Sequence, residues 1–187
     1  MEFITINGTS RENSGTTAAT AVRNSGKIPC VLYGGAAAVS FSADPKEVRK
    51  LVYTPKFRTV ELKLDGKSTK CILKDIQFHP TTDAVQHLDF LELVPGKKIK
   101  AVIPITFTGS SIGVKNGGKF IASLRSVKVL TTPEKMLNEV VADISALELG
   151  QVIRVRDIEL QEGVQIINAG AIPIASIEIP RALRAKK

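Results

Sequence analysis

Apolar and polar residues alternate over much of this chain, which is the pattern of half-buried β-strands. In the first half, this pattern and short apolar runs predict five strands, over residues 3–6, 30–33, 60–64, 67–78 and 87–93. Asp65 and Gly66 separate two of them, and both residues tolerate a positive φ, so a tight hairpin is predicted there.

Two short helices are predicted between these strands. Apolar residues at helical spacing indicate the first over 16–25. The second begins after Asp44, a helix-capping residue, with Pro45 in the first turn and Glu47 three residues after the cap, as in a capping box. Phe41 is expected to begin the approach to this second helix.

The second half of the chain reads almost entirely as β-structure. Strands are predicted over 99–107, 120–130, 139–144, 152–158 and 171–179. A long loop rich in Gly and Ser is expected over 109–118, and turn residues at short intervals favour a sandwich or a partly open barrel. Pro95-Gly96 is the best boundary, so we expect domains at 1–94 and 95–180, followed by a mobile basic tail at 181–187.

Charge adds a class of partner to this picture. The 187 residues carry a net charge of +8, which favours polyanions. No acidic residue lies between Glu92 and Glu134, a window that contains Lys97, Lys98, Lys100, Lys115, Lys119, Arg125 and Lys128. Such windows predict continuous positive faces.

Several function classes are disfavoured. No apolar run is long enough for a membrane span, and the N-terminus does not read as a secretory signal. Cys30 and Cys71 sit among apolar neighbours, as buried free thiols of a reducing cytoplasm would. The spacing of two Cys and two His matches no zinc motif, and the glycine-rich 113–119 lacks a phosphate-loop ending. We therefore expect no enzyme, no cofactor and no metal.

Two motifs favour RNA binding. The apolar run 28–33 ends in Tyr33 and two glycines, Gly34 and Gly35, which place a flat polar ring beside nearly bare backbone. His87 and Asp89 occupy alternate positions, so on a strand both point to one face.

The ordered set of such motifs resembles the bacterial ribosomal protein L twenty-five family, and most closely its longer subgroup, named for the general stress protein Ctc. The segments that carry the resemblance are 10–12, 21–35, 75–80 and 86–90, with 113–118 and 146–151 resembling the extra domain of that subgroup.

The resemblance implies a mainly β protein with short helices, in which a six-stranded β-barrel is followed by a C-terminal β domain. It also implies a cytoplasmic, structural component of the large ribosomal subunit that binds 5S ribosomal RNA in the central protuberance, as a monomer within the ribosome. The family grips an irregular RNA helix mainly through the minor groove, which in RNA exposes hydroxyls and base edges. The C-terminal domain is expected to touch neighbouring ribosomal proteins or ribosomal RNA.

The RNA-binding residues implied are Arg11, Arg23, Lys27, Tyr33, Gly34, His79, His87 and Asp89. Each also has a structural reading. Arg11 could be a solvated loop residue, and Arg23 could interact with the dipole at the C-terminal end of the first helix. Tyr33 could belong to the core, Gly34 could make a turn, and His79 could shape its loop. His87 and Asp89 could be an ordinary surface pair.

The chain departs from the family in its first helix, which is usually basic. Thr16, Thr17, Thr20 and Asn24 stand at positions that commonly carry Lys or Arg. A shallower salt dependence of RNA binding is expected. Two other functions stay open at this point: a free, stress-associated RNA-binding protein that meets the ribosome transiently, and a tRNA-binding module, by analogy with similar barrels in glutaminyl-tRNA synthetase.

Overall fold

A computed structural model describes residues 3–11, 15–161 and 163–180. The chain divides into two compact units, residues 1–97 and 98–187. The predicted tail at 181–187 lies outside the described residues. None of the helices in the described part of the chain is long and apolar enough to cross a membrane.

The first unit is a closed barrel of six strands. These are β1 Phe3–Ser10, β2 Ile28–Tyr33, β3 Val39–Ala43, β4 Thr59–Leu64, β5 Lys67–Phe78 and β6 Val85–Glu92. Their order is β1-β3-β2-β6-β5-β4, and β4 pairs in parallel with β1 to close the ring. The predicted fold class, a six-stranded barrel followed by a β domain, is confirmed.

Alternate residues of the strands fill the barrel interior. The side chains that are completely buried include Ile6, Phe41, Leu62, Leu88 and Phe90. The rings of Phe41 and Phe90 meet with centroids 5.6 Å apart. This interior forces the intervening residues of each strand outward, which creates the polar surface described below.

The hairpin and both helices agree with the sequence pattern. Asp65 and Gly66 have φ of 47° and 82°, as the predicted turn requires. Helix α1 covers Thr16–Asn24 and helix α2 covers Pro45–Val52. Helix α2 is capped by Asp44, whose carboxylate accepts the Lys46 N–H at 2.8 Å.

The expected role of Glu47 is wrong. Its carboxylate does not complete a capping box; it accepts hydrogen bonds from the backbone N–H and side-chain amide of Asn7, at 2.7 and 2.9 Å. Glu47 thus ties α2 to β1.

The expected role of Phe41 is also wrong, because Phe41 lies inside strand β3 and does not lead into α2. The hydrogen-bond partners of β3 come from β1 on one side and β2 on the other, and the local sequence does not reveal them.

The second unit contains two small sheets. Its strands are β7 Ile99–Thr108, β8 Lys119–Ala122, β9 Ser126–Thr131, β10 Val140–Asp143, β11 Val152–Arg154, β12 Gln165–Ile166 and β13 Pro173–Glu178. One sheet has the order β10-β7-β9-β12 and the other β11-β13-β8. A third helix, α3, covers Ile112–Lys115, and 3₁₀ turns cover Pro133–Lys135 and Val155–Asp157.

Several predicted boundaries in this unit are wrong. The single strand expected over 120–130 is two strands in different sheets, separated where the N–H groups of Ser123 and Leu124 both bond the Ile174 carbonyl. The strand expected over 152–158 stops at Arg154 and turns.

The loop expected over 109–118 contains α3, whose cap is Ser111. The two-residue strand β12 was not predicted, because a segment this short carries no periodic signal.

Candidate RNA-binding surface

His87 and Asp89 form a hydrogen-bonded pair on the outer face of β6. Their side chains meet at 2.8 Å, between His87 Nδ1 and Asp89 Oδ1, while Leu88 and Phe90 point into the core. Since the carboxylate can only accept, Nδ1 carries the proton, and in the neutral imidazole Nε2 is an acceptor. The pair therefore offers hydrogen-bond acceptors to a partner that brings donors. The predicted shared face is confirmed.

Strand pairing brings residues from four further segments into line with this pair. The Arg11 N–H donates to the Ser40 carbonyl, and Ser40 pairs with Val31. Val31 in turn pairs with Asp89, which pairs with Asp75 on β5. One row across the barrel wall thus connects Arg11 at the end of β1 with the carboxylates of β6 and β5.

Tyr33 lies on the same outer face, two residues beyond Val31, and is half-buried. Burial raises the pKa of its phenol, and the nearby carboxylates of Asp89 and Asp75 raise it further. The hydroxyl therefore stays protonated at neutral pH, with a donor and acceptor beside the acceptors of the His87–Asp89 pair.

Arg11 is half-buried, and its Nε and Nη1 atoms are shielded from solvent without a hydrogen-bond partner among the described residues. An unpaired buried donor on a charged group is costly. The Asp89 carboxylate, in the same row, bonds His87. The two shielded donors of Arg11 therefore reach an acceptor outside the barrel only if the side chain turns outward.

Sequence reasoning missed two polar residues of this face, Asp75 and Gln77. They pair with Asp89 and His87 respectively, so they point the same way. The signal that could have found them is the matching Asp-x-Gln alternation on the return strand. Like charges directly opposite each other are destabilising, so the Asp75–Asp89 pair favours a ligand that brings donors or cations.

The two cations of the first helix region differ in what they touch. Arg23 is exposed, and its Nε donates to the Gln86 carbonyl at 3.1 Å, which holds α1 against β6 just before His87. This contact gives Arg23 a structural role beside the predicted one. Lys27 is exposed in the short connection between α1 and β2.

Gly34 is explained by the barrel itself. Its φ is 102°, and a Cβ there would lie 2.6 Å from Leu91 Cδ1. Its carbonyl accepts from Lys97 Nζ at 3.3 Å. At Gly35 the corresponding space is occupied by the Glu92 carboxylate. Strand packing therefore accounts for Gly34, while a flexible side chain is all that fills the space at Gly35, and close approach of RNA stays a prediction.

His79 lies in the loop between β5 and β6, apart from the row described above. Its Nδ1 accepts from the N–H groups of Thr81 and Thr82, each at 3.3 Å. These two bonds hold the loop closed around the ring. In the neutral imidazole the proton is then on Nε2, which can donate to a group outside the loop. Its contact with RNA remains a prediction with a structural alternative.

The lysines of the acid-free window are exposed but distributed over both sheets of the second unit. Lys100 and Lys128 lie on outward positions of β7 and β9, whereas Lys119 is on β8 and faces Glu178 of β13. Lys115 lies on α3. These lysines lie on several elements of the second unit, and the continuous positive face stays a prediction.

Both thiols are buried. Desolvation raises the pKa of Cys30 and of Cys71 to about 12, so neither is a nucleophile at neutral pH. Within the described ranges, no three His, Cys, Asp or Glu side chains cluster so that they could hold a metal ion.

Comparison with known proteins covers both units. The profile of the Ribosomal L25p family matches residues 6–90, and that of the Ribosomal protein TL5, C-terminal domain, matches residues 98–181. Similar proteins include the "Large ribosomal subunit protein bL25" of Cytophaga hutchinsonii, which is 38% identical over 98% of this chain and 95% of its own length. The protein of the same name from Phocaeicola vulgatus is 37% identical over 98% of this chain and 96% of its own.

A third relative of that name, from Christiangramia forsetii, is 43% identical over 87% of this chain and 74% of its own length. Identities of this size over nearly the whole chain, together with the closed six-stranded barrel, lead to one conclusion. The chain belongs to the Ribosomal L25p family, in the two-domain form that also carries a TL5 C-terminal domain.

Proposed function

We propose that this protein is a structural constituent of the large ribosomal subunit and that its barrel binds 5S ribosomal RNA in the central protuberance. Family membership supports the ribosomal role and makes the protein structural rather than catalytic, associated with the ribosome in the cytoplasm. The observation that carries the RNA site is the convergence of Arg11, Tyr33, His87 and Asp89 on one outer face of the barrel.

The chemistry of this face suits the minor groove of an irregular RNA helix. The His87–Asp89 pair supplies acceptors, which fit 2′-hydroxyl protons and guanine amino groups. Arg11 lies at the end of the same row, and its guanidinium, turned outward, would supply donors that fit phosphate or base-edge oxygens. The Asp89 carboxylate can accept hydrogen bonds from hydroxyls and amino groups, but it repels phosphates. The face therefore favours an RNA minor groove, where hydroxyls and base edges are exposed, over the phosphate backbone.

The remaining predicted residues flank this centre. Arg23 and Lys27 add positive charge beside β6, where they fit phosphates. The second unit is proposed to contact neighbouring ribosomal protein or RNA through its exposed lysines, with 1–94 and 95–180 acting as separate functional domains.

The test is equilibrium binding to purified 5S ribosomal RNA by the wild type and Asp89→Asn. The substitution keeps the shape of the side chain but removes the charge that orients His87. If Asp89 contacts the RNA, we expect binding to weaken by roughly 10- to 150-fold, the range for a lost hydrogen bond to a charged group.

The matched control is Asp65→Asn, which removes the same charge in an exposed turn that asparagine tolerates. Binding by this variant should stay equal or improve slightly through net charge. Equal or tighter binding by Asp89→Asn would show that the carboxylate is a bystander and would contradict the proposed site.

A further inference from the structure

An apolar groove runs beside helix α2 in the first unit. Its volume is about 560 Å³. One wall is formed by Val48, Arg49, Val52 and Tyr53, and the facing wall by Ile28 and Val85. None of the residues assigned to RNA binding above lines it.

Tyr53 is an exposed aromatic residue that lines this groove, and the exposed ring of Phe78 lies beside it. Tyr53 is 61% exposed and Phe78 is 42% exposed, with ring centroids 6.5 Å apart. The Tyr53 hydroxyl donates to the Asp83 carbonyl at 3.3 Å, which fixes the ring at the end of the helix. Large aromatic rings held in place at a surface are typical of recognition sites rather than of solvated faces.

Arg49 is the cation that lines this groove. Lys46 and Lys50, the other exposed cations of helix α2, line a separate pocket beside β1. Glu47 of the same helix is hydrogen-bonded to Asn7. Aromatic rings combined with nearby cations are the combination on which nucleobases stack while their phosphates are neutralised.

The groove is also continuous with the face that carries His87 and Asp89. Val85 precedes His87 by two residues on β6, a distance of roughly 7 Å along a strand. Arg23 bonds the Gln86 carbonyl between them. An RNA bound at His87 and Asp89 therefore has a path of cationic and apolar contacts into the groove.

We propose that this groove receives an unpaired nucleobase of the same RNA, stacked on Tyr53, with Arg49 placed to meet its phosphate or its ring face. This proposal rests on the proposed function, since the RNA is the one bound at the outer face of β6. The RNA site would then extend to α2, and the barrel would recognise an unstacked base in addition to the minor groove of the RNA.

The chain contains no tryptophan, which allows a direct test. In Tyr53→Trp the new indole is the sole tryptophan, and its fluorescence is quenched when a base stacks on it. With in vitro transcribed 5S ribosomal RNA, we expect saturable quenching and protection of the indole from acrylamide. Val102→Trp, at an exposed position of β7, is the matched reporter and should show neither change.

Affinity gives the second readout. Tyr53→Ala should weaken 5S RNA binding by about ten-fold, within the range measured for the loss of one base-stacking side chain. Tyr53→Phe keeps the ring and loses the bond to Asp83, so it should stay within about two-fold of the wild type. Thermal unfolding of each variant verifies that the barrel is intact.

The outcomes separate this proposal from the one it rests on. If 5S RNA binds tightly but the indole is not quenched, the proposal that a base enters the groove is wrong and the proposed function still stands. The same holds if Tyr53→Ala binds with full affinity. An indole that is protected only in the assembled large subunit assigns the groove to a neighbouring protein and also overturns the proposal. Absence of any 5S RNA binding by the wild type overturns both.

Discussion

The two units of this chain bury their apolar residues in different ways. The barrel closes on itself, so every strand has two neighbours and polar side chains of β5, β6 and β2 are held on one continuous wall. The second unit has two open sheets, and the outward positions of β7 and β10 include Val102 and Val141, each about half exposed. A closed sheet removes unpaired edges, whereas an open sheet leaves them.

This difference indicates where precise recognition can be built. A closed wall fixes the spacing of side chains on neighbouring strands, as in the row from Arg11 to Asp75. The open sheets distribute their lysines over several elements, which suits broad electrostatic contact. We therefore place the proposed specific site on the barrel and the proposed electrostatic contacts on the second unit.

Alkaline pH should separate the two units most strongly. Both cysteines lie in the barrel, and burial raises the pKa of each from 9.0 to about 12. The folded barrel therefore holds these protons more tightly than the unfolded chain does. The corresponding stability is complete below about pH 9 and is lost as pH rises toward 12.

At pH 10 the expected loss is on the order of 3 kcal/mol for the two thiols together. Urea unfolding followed by circular dichroism at pH 8 and pH 10 measures it. The double variant Cys30→Ala, Cys71→Ala should lose much less stability over the same interval. If wild type and double variant shift equally, the thiols are not the cause.

A methyl group at Gly113 should damage the second unit alone. An added Cβ would lie 2.7 Å from the Glu148 carbonyl carbon and 2.9 Å from the Leu149 nitrogen, both backbone atoms that cannot move aside cheaply. Gly113→Ala should therefore cost about 1–3 kcal/mol, the range for overpacking. Thermal unfolding should show one transition lowered and the other unchanged.

Gly35→Ala in the barrel is the matched control. Its Cβ would meet only the carboxylate of Glu92, the far end of a flexible side chain that can rotate away. A small change, within about 0.5 kcal/mol, is expected. An equal cost in both variants would mean that the tight backbone approach at Gly113 is not what sets its sensitivity.

The smallest expected effect concerns the salt dependence of RNA binding. Thr17 is exposed in the first turn of α1, and it is one of the positions at which the resemblance leads us to expect a basic residue. Thr17→Lys should steepen the log–log slope of affinity against salt by about 0.9, the value for one phosphate contact. Titration between low and moderate salt measures it, and Ser110→Lys in the second unit is the control. An unchanged slope in Thr17→Lys would place α1 away from the RNA backbone.

The local pattern predicted those features that short stretches of chain determine by themselves. The Asp65-Gly66 turn needs only two residues that accept positive φ, and the start of α2 needs only Asp44 and Pro45. The return strand predicted over 67–78 is observed there, because the Asp65-Gly66 turn before it marks where the chain reverses. Prediction failed where a partner from elsewhere decides the outcome, as for Phe41 in β3 and Glu47 on Asn7.

The site shows the same division. Alternation alone placed His87 and Asp89 on one face, since side-chain period two is a property of any strand. That Asp75 lies opposite Asp89, with Tyr33 beside both, depends on strand order and register. The sequence by itself determined five of the six barrel strands, the Asp65-Gly66 turn and the basic charge. Only the closed barrel decided which polar residues meet, because residues far apart in the chain become neighbours through hydrogen-bonded pairing that no local pattern encodes.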